Sequence, residues 1–190
     1  VMARFATTAD ISQLEGEQPW PAAQVAETVY ELMGRTLARV PDHDAVSFQL
    51  FSGPSDSAET LSWRALHAKT TQAANMFRDL GIKENDAVAY ILPNCNETVM
   101  TLLGGMVVTP INPLLDAEQI AGILRETGAR VVVTLKAFPK TDVAQKVAEA
   151  VRRAPDVETV LEVDLLRYLT GLKKFIVPLV RPKNPVSHRA

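Results

Sequence analysis

The amino-acid sequence predicts an α/β fold: a mostly parallel sheet with flanking helices, together with a small antiparallel hairpin. Two observations lead to this prediction. Short, almost wholly apolar runs alternate with amphipathic segments of helical spacing, which is the pattern of parallel strands joined by crossover helices. Closer to the amino terminus, two β-rich runs flank a stretch of turn-forming residues, which indicates a pair of antiparallel strands.

We expect three regions along the 190-residue chain. Residues 1–27 have no sustained periodicity and are predicted to form an irregular N-terminal arm. Residues 28–163 are predicted to form the α/β subdomain. Residues 164–190 carry six Lys or Arg and three prolines. We interpret this last region as a short helix that packs back on the subdomain, followed by an exposed basic linker.

The subdomain is predicted to begin with a helix and the hairpin. Thr28 at the N-cap, with Glu31 three residues later, has the pattern of a capping box. Pro41 ends that helix because proline cannot continue it. The β-rich runs Ala45–Phe51 and Thr60–Trp63 then flank Gly, Pro, Ser and Asp residues, and they predict the two antiparallel strands.

A long helix and a βαβ unit follow. Ser62 is the expected N-cap of the helix, and Gly81 is expected to close it. The apolar run Ala87–Leu92 predicts a buried strand. It opens the stretch Asp86–Pro113, DAVAYILPNCNETVMTLLGGMVVTPINP, which has the order strand, helix start, short helix, Gly-Gly stop and strand. Loops of such units are where α/β proteins usually bind ligands.

The same alternation continues to the end of the subdomain. Asp116 and Gln119 have the pattern of a second capping box, at the start of a helix that runs to Thr127 and is closed by Gly128. The remaining predicted elements are a strand, a helix and a strand: Arg130–Leu135, Thr141 to about Ala154, and Val157–Val163.

Composition limits the class of protein. The net charge of −2 implies no broad basic face, so we expect no nucleic-acid partner. The single cysteine cannot form an internal disulfide, which fits a reducing compartment. No run reaches the ~18 apolar residues of a membrane span, and the amino terminus has no apolar signal region. We therefore expect a soluble, cytoplasmic chain.

The basic tail permits a second interpretation, because a basic amphipathic stretch can lie on a membrane surface. Pro178, Pro182 and Pro185 would interrupt a continuous surface helix. We therefore favour the short packed helix and do not expect membrane contact.

No residue of the sequence is assigned a catalytic, cofactor-binding or metal-binding role. No GxGxxG or GxxxxGK[ST] phosphate loop occurs, and the Gly104–Gly105 pair is interpreted as a helix stop. His43, His67 and His188 have no Ser, Cys or carboxylate at a spacing that suggests a triad or metal site. We interpret all three histidines as structural.

Cys95 and Glu97 lie at the start of the helix in the βαβ unit. The helix dipole could lower the pKa of Cys95, but no partner base is visible, so we interpret it as a packed loop or core cysteine. The dipole alone explains an acidic residue at Glu97. Trp20 and Trp63 are interpreted as packing residues, because no basic and aromatic interleaving surrounds them.

Four features of the chain together resemble one family. Pro93, Asn94 and Glu97 match a Pro-Asn-x-x-Glu signature, Pro110–Pro113 matches Pro-hydrophobic-Asn-Pro, and Gly128–Val131 matches a Gly-Ala-Lys/Arg entry into a strand. The fourth feature is the passage that runs from LSWRALHAK to AYILPN. In these features the chain resembles the N-terminal part of adenylate-forming acyl-CoA synthetases, a group that includes fatty-acid CoA ligases, luciferases and peptide-synthetase adenylation domains. The hairpin and tail look most like a bacterial fatty-acyl-CoA synthetase branch.

The resemblance implies a parent enzyme that uses ATP to convert a carboxylate into an acyl-adenylate, from which the thiol of coenzyme A displaces AMP. Mg²⁺ and basic side chains would neutralise the phosphates. The family's phosphate loop, ribose-binding Asp and C-terminal Lys would lie beyond Ala190, so no catalytic residue is carried over. The resemblance therefore implies a fragment that is inactive alone and binds none of ATP, Mg²⁺ or coenzyme A.

The implied partners of such a fragment are the downstream subdomains of the same parent chain. An apolar face that they would cover is expected to cause self-association of the isolated fragment. Two alternatives stay open: a small α/β protein that binds a ligand or partner, and a fragment of another adenylating enzyme.

One local feature departs from the family. Relatives usually have more residues between the Gly-Gly pair and the next strand, whereas only Met106–Thr109 intervene here. A parallel crossover needs about a dozen residues, so this one is close to the minimum. We expect residues to be missing after Gly105 and prefer this to a deletion in the parent. A continuous backbone from Leu103 to Pro110 would exclude missing residues.

Overall fold

A computed structural model describes residues 7–17, 26–53 and 56–185. These ranges contain seven α-helices and six strands. The helices are α1 (Thr8–Glu17), α2 (Val29–Arg39), α3 (Trp63–Asp79), α4 (Asn96–Gly104), α5 (Ala117–Thr127), α6 (Val143–Val151) and α7 (Lys173–Ile176). The strands are β1 (Asp44–Phe48), β2 (Glu59–Ser62), β3 (Ala87–Ile91), β4 (Val107–Pro110), β5 (Val131–Leu135) and β6 (Thr159–Val163).

The main sheet has four parallel strands in the order β4-β3-β5-β6. The predicted parallel α/β fold is therefore confirmed. From β3 the chain moves outward to β4 and then returns past β3 to β5, so the direction of strand addition reverses between β3 and β5. The carboxyl ends of these two strands form a topological switch point, where open α/β sheets usually bind ligands.

Helices lie on both faces of this sheet. On one face α3 packs on α4; on the other α5 packs on α6. Arg153, just after α6, joins these last two helices through a 2.6 Å bond to Glu118. Every residue of β5 is buried, as expected for a strand covered on both faces. Phe77, Ile120 and Leu124 are among the largest fully buried side chains.

The hairpin is also confirmed, with a shorter first strand than the sequence predicts and a second strand that starts and ends one residue earlier. β1 and β2 pair antiparallel, with an irregularity between Asp44 and Val46. Trp63 begins α3 and is not part of β2, because Ser62 accepts a hydrogen bond from the backbone N–H of Ala65 and caps the helix there.

The predicted helix caps are largely present. At α5, Asp116 accepts from the N–H of Gln119 while the Gln119 side chain accepts from the N–H of Asp116, a complete capping box. At α2, Thr28 accepts from the N–H of Glu31 as predicted. The return bond differs, because the Glu31 carboxylate accepts from the N–H of Glu27, one residue earlier.

The expectation of an irregular N-terminal arm is wrong for residues 8–17, which form α1. The Thr7 hydroxyl accepts from the N–H of Asp10, and the Asp10 carboxylate accepts from the N–H of Thr7. This reciprocal pair starts a helix in the manner of a capping box. None of the residues of α1 is buried. The rest of the predicted arm, apart from Thr7 and residues 26–27, lies outside the described residues, as does Trp20.

The tail is more closely attached than the exposed linker that the sequence predicts. Leu165–Tyr168 forms a 3₁₀ turn in which Leu165 and Tyr168 are buried. Farther on, Arg181 donates to the carbonyl of Ala137 at 2.7 Å, and Asn184 accepts from the N–H of Ala137 at 2.8 Å. These bonds fix the tail against the loop that follows β5.

The backbone runs from Leu103 to Pro110 without a break, so the short crossover can form, and the absence of residues after Gly105 stays a prediction. The N–H of Gly105 donates to the carbonyl of Thr101 at the end of α4. Two residues later, the N–H of Val107 donates to the backbone carbonyl of Asp86, which precedes β3. A Cβ at Gly105 would lie 2.5 Å from Val108 Cγ2. Glycine therefore permits this short return into β4.

None of the helices in the described ranges has the length and apolar character that a membrane span requires.

Gly104 is expected to be required for the packing of α4 on α3. A Cβ there would meet Ala73 Cβ, Ala74 N and Thr70 O at 3.1 Å, and two of these atoms are backbone. Gly104→Ala should lower the free energy of unfolding by about 1–3 kcal/mol through overpacking, as measured by urea denaturation.

Gly122→Ala is the matched control, because Gly122 is also helical and a Cβ there meets no atom within 4 Å. It should raise the free energy of unfolding by about 0.5–1 kcal/mol, the usual helix preference for alanine. Equal effects of the two substitutions would contradict the close approach of α3 and α4.

Candidate functional site

The candidate site lies at the switch point, where β3 continues into the loop that starts α4. Pro93 and Asn94 in this loop are exposed, whereas Cys95 and Asn96 are buried. The hydroxyl of Thr98 donates to the carbonyl of Pro93 at 2.5 Å. The first turn of α4 thus holds the loop that precedes it, and Glu97 stands beside this loop on the same turn.

Three segments that are distant in sequence meet at Glu97. Its carboxylate accepts a hydrogen bond from the Tyr168 hydroxyl at 2.6 Å and forms an ion pair with Arg167. The ion pair with Glu97 uses Nη1 of the Arg167 guanidinium. Its Nη2 donates to both carboxylate oxygens of Glu59, each at 2.7 Å. The network therefore joins the hairpin, the start of α4 and the tail.

Asn96 adds a buried polar group to the same network. Its side-chain nitrogen donates to the Glu59 carboxylate at 3.2 Å and to the Glu59 carbonyl at 3.4 Å. Its side-chain oxygen has no hydrogen-bond partner among the described residues. Glu59 is thus held by Asn96 from one side and Arg167 from the other, so the end of the hairpin is fixed against α4.

The electrostatics of the network favour a structural function. Burial raises the pKa of Tyr168, and the hydrogen bond to Glu97 raises it further. Burial lowers the pKa of Arg167, but Glu97, Tyr168 and Glu59 outweigh this effect, and the net shift is upward. Tyr168 therefore stays a neutral donor and Arg167 a cation at neutral pH, and neither can exchange a proton there.

Cys95 lies beside the network, at the N-cap of α4. The thiol is buried and lies 3.4 Å from the Thr98 hydroxyl. Burial raises the pKa of the Cys95 thiol, so the helix N-terminus does not produce a reactive thiolate here. The interpretation of Cys95 as a packed cysteine is confirmed.

The other residues considered from sequence lie away from the switch point. His67 packs against Tyr30, with ring centroids 4.7 Å apart. His43 is exposed in a turn, where its carbonyl accepts from the N–H of Trp63. Trp63 itself packs against a small cluster around Met33, as predicted. His188 lies outside the described residues. Within the described ranges, no group of three or more His, Cys, Asp or Glu residues could hold a metal ion.

The sequence pattern identifies Glu97 but not its partners. From the sequence, the helix dipole alone accounts for the acidic residue, whereas the structure adds an ion pair with Arg167 and a hydroxyl donor from Tyr168. Arg167 lies 70 residues from Glu97 and 108 residues from Glu59. No local pattern links positions at such separations, so only the folded chain brings them together.

An apolar groove adjoins the network. Paired residues Val133 of β5 and Leu161 of β6 form its floor, and α3 and α4 form one wall. Its volume is about 540 Å³, and Glu97 lies at its border. The strand reversal explains the groove, since α5 and α6 cover β5 and β6 only from the opposite face. Such a concave apolar surface suits an apolar ligand or a packing segment.

The sequence of this chain is similar to those of known proteins. The sequence matches the family model described as AMP-binding enzyme over residues 34–185. Marinolic acid–CoA ligase of Pseudoalteromonas sp. (strain SANK 73390) is 29% identical over 173 residues, or 87% of this chain and 26% of that protein. Long-chain-fatty-acid–CoA ligase of Bacillus subtilis (strain 168) is 26% identical over 186 residues, or 90% of this chain and 30% of that protein.

A solved structure shares the fold. The anthranilate CoA ligase AuaEII aligns with a TM-score of 0.60 at 17% identity, covering 86% of this chain and 29% of that chain. The chain thus spans between 26% and 30% of the length of the proteins compared.

Removal of the Glu97 carboxylate is expected to weaken the fold. Glu97→Ala should lower the free energy of unfolding by about 1.5–3 kcal/mol, because the buried Tyr168 hydroxyl loses its acceptor and the more exposed Arg167 loses one of its two carboxylate partners. Glu97→Gln keeps an acceptor for Tyr168 and should cost less. Urea denaturation followed by circular dichroism measures both.

Glu118→Ala is the control for this experiment, because Glu118 also bridges two arginines but on an exposed surface. Its cost should stay below about 1 kcal/mol. Similar losses for the Glu97 and Glu118 variants would show that burial adds nothing to the Glu97 network.

The thiol of Cys95 is expected to be protected in the native protein. At pH 8, Ellman's reagent should modify it at least roughly tenfold more slowly than in denaturant, because a raised pKa depletes the thiolate and packing blocks access. Equal rates in native and denatured protein would contradict the buried position.

Proposed function

Since the chain belongs to the AMP-binding enzyme family, we propose that it is part of an ATP-dependent acyl-CoA ligase. Such an enzyme converts a carboxylate into an acyl-adenylate and then into an acyl-CoA. The carboxylate must be activated because its oxygen is a poor leaving group, whereas AMP departs readily when the thiol attacks. The family match over residues 34–185 is the observation that carries this proposal, and the similarity to the two CoA ligases described above supports it.

The residues of this chain do not fit ATP, Mg²⁺ or coenzyme A as a complete site. Two cations near the switch point are committed to carboxylates, since Arg167 binds Glu59 and Glu97 and Arg181 binds Asp164. The only glycine pair, Gly104–Gly105, is engaged in packing α4. We therefore assign adenylation and thiolation to other parts of the enzyme and no catalytic residue to this chain.

We propose instead that this chain forms one wall of the enzyme. The groove over β5 and β6 is apolar and open, while the opposite face of the same strands is covered by helices. Further parts of the enzyme would cover the groove, and the network at Glu97 would keep its border in place. Without that cover, the chain is expected to self-associate through this surface.

A chimera tests the proposed function. Residues 34–185 would replace the matching segment of the Bacillus subtilis long-chain-fatty-acid–CoA ligase, and fatty-acid-dependent formation of acyl-CoA would be measured. We expect measurable activity, and Glu97→Ala in the chimera should reduce its thermal stability. A soluble chimera that unfolds cooperatively but forms no acyl-CoA would contradict the proposal.

The chain alone is expected to be inactive. Purified 190-residue protein should give no carboxylate-dependent ATP–pyrophosphate exchange with fatty, aromatic or amino acids, because it lacks a phosphate-binding loop. The intact Bacillus subtilis ligase is the positive control with fatty acids. Exchange with an amino acid would favour a different adenylating enzyme, and exchange with any carboxylate would refute the inactivity.

A further inference from the structure

The tail leaves the main sheet and returns to nearly the same place. β6 ends at Val163, and Asp164 follows it directly. One carboxylate oxygen of Asp164 accepts from the N–H of Leu166 at 3.1 Å, at the start of the tail. The other oxygen accepts from Nη1 of Arg181 at 2.9 Å, 17 residues farther along the chain. Both ends of this loop therefore meet at one carboxylate.

Arg181 and Asn184 hold the returning chain against the loop that follows β5. Nε of Arg181 donates to the carbonyl of Ala137 at 2.7 Å, and the Asn184 side chain accepts from the N–H of Ala137 at 2.8 Å. The Asn184 nitrogen also donates to Glu162 of β6 at 2.6 Å. We call these contacts, together with the pair of Arg181 and Asp164, the tail clasp. The tail clasp joins the carboxyl ends of β5 and β6.

This position is the edge of the sheet at which open α/β folds bind ligands. Ala137 is two residues beyond the end of β5, and Asp164 is one residue beyond the end of β6. β5 is also one of the two strands that form the switch point. Pro185, the last residue that the structure describes, comes directly after Asn184. The segment that follows Pro185 therefore starts at the carboxyl edge of the sheet.

The part of the tail before the clasp is held less firmly. Residues 171–180 are exposed apart from the half-buried Val177. Lys173 pairs with Asp56, but the lysine side chain is 45% exposed, and ion pairs of this kind restrain a chain only weakly. Fully extended, the segment from Lys173 to Pro185 would reach about 40 Å. The tail clasp thus determines where Pro185 lies.

Arg181 has a donor that the described residues do not use. Its side chain is only 17% exposed, and its remaining terminal nitrogen, Nη2, is buried without a hydrogen-bond partner among the described residues. A buried donor without an acceptor is costly. We therefore expect the acceptor to come from a part of the enzyme outside the described residues.

We propose that Arg181 is a positioning residue of the ligase. With Asn184 it holds the chain at the carboxyl edge of the sheet, so that the next part of the enzyme begins beside the switch point and supplies the acceptor for Nη2. The proposal rests on the proposed function, because it requires that catalysis occurs in that next part. A displacement of about 1 Å can lower a catalytic rate roughly 100-fold, so a loosened exit should lower turnover.

Hydrogen exchange in the purified 190-residue chain tests the tail clasp itself. In Arg181→Ala, the amide of Ala137 should exchange at least roughly tenfold faster, because the segment that carries its acceptor is loosened. The amide of Lys136 is the internal control. It donates to the carbonyl of Val163 at 2.9 Å and should exchange at an unchanged rate. An unchanged rate at Ala137 as well would overturn the proposal.

The positioning role is tested in the chimera that carries residues 34–185 in the Bacillus subtilis ligase. Arg181→Ala should lower kcat for acyl-CoA formation at least roughly tenfold and change KM for the fatty acid less than about twofold, because Arg181 does not bind the substrate. Arg181→Lys should recover part of kcat, since an ammonium can still pair with Asp164 but lacks the fork that also binds the Ala137 carbonyl.

Arg153→Ala is the matched control. Arg153 also binds two carboxylates, but it follows α6 at the opposite edge of the sheet. Its substitution should leave kcat unchanged. Equal kcat values for Arg153→Ala and Arg181→Ala in an active chimera would overturn the positioning role alone.

Two further results would count against the proposal. A loss of kcat in Arg181→Ala that only matches the unfolded fraction seen by circular dichroism would show an effect on stability and overturn the positioning role. A folded, unsubstituted chimera that forms no acyl-CoA would refute the proposed function and the positioning role with it. The exchange rates at Ala137 would be unaffected by that failure, so the two failures can be told apart.

Discussion

The carboxylate of Glu97 is the point at which the separate parts of this chain are tied together. It accepts from Tyr168 and pairs with Arg167, which in turn holds Glu59 of the hairpin. Without this acceptor, the buried hydroxyl of Tyr168 would lose its partner, while Arg167 would keep only Glu59. Burial of unpaired donors is costly. The position of the hairpin and the path of the tail both follow from this one group.

A second constraint comes from the reversal of strand order. A parallel sheet is stable when both faces are covered, and the chain covers β5 and β6 from one side only with α5 and α6. The other side of these strands, beside α3 and α4, is the groove bordered by Glu97. In a chain that spans 26% to 30% of its relatives' length, the open face is where further parts of an enzyme have room to pack. The groove and the proposed function thus have the same topological origin.

The sequence predicts most of the fold because local rules determine most of it. Apolar runs give the four parallel strands, and the Asp116–Gln119 box gives the start of α5. One error is also local: the reciprocal bonds of Thr7 and Asp10 start α1, where the sequence predicts an irregular arm. The site is different. Glu97 can be found as part of a motif, but Glu59 and Arg167 cannot, because nothing in a sequence links residues 108 positions apart before the chain folds.

The path of the tail depends on its cations, which pair with carboxylates elsewhere in the chain. Arg167, Lys173 and Arg181 pair with carboxylates on the acidic body, and these bonds determine how the tail lies. The tail therefore stays attached to the body although its helical run at residues 172–180 is mostly exposed.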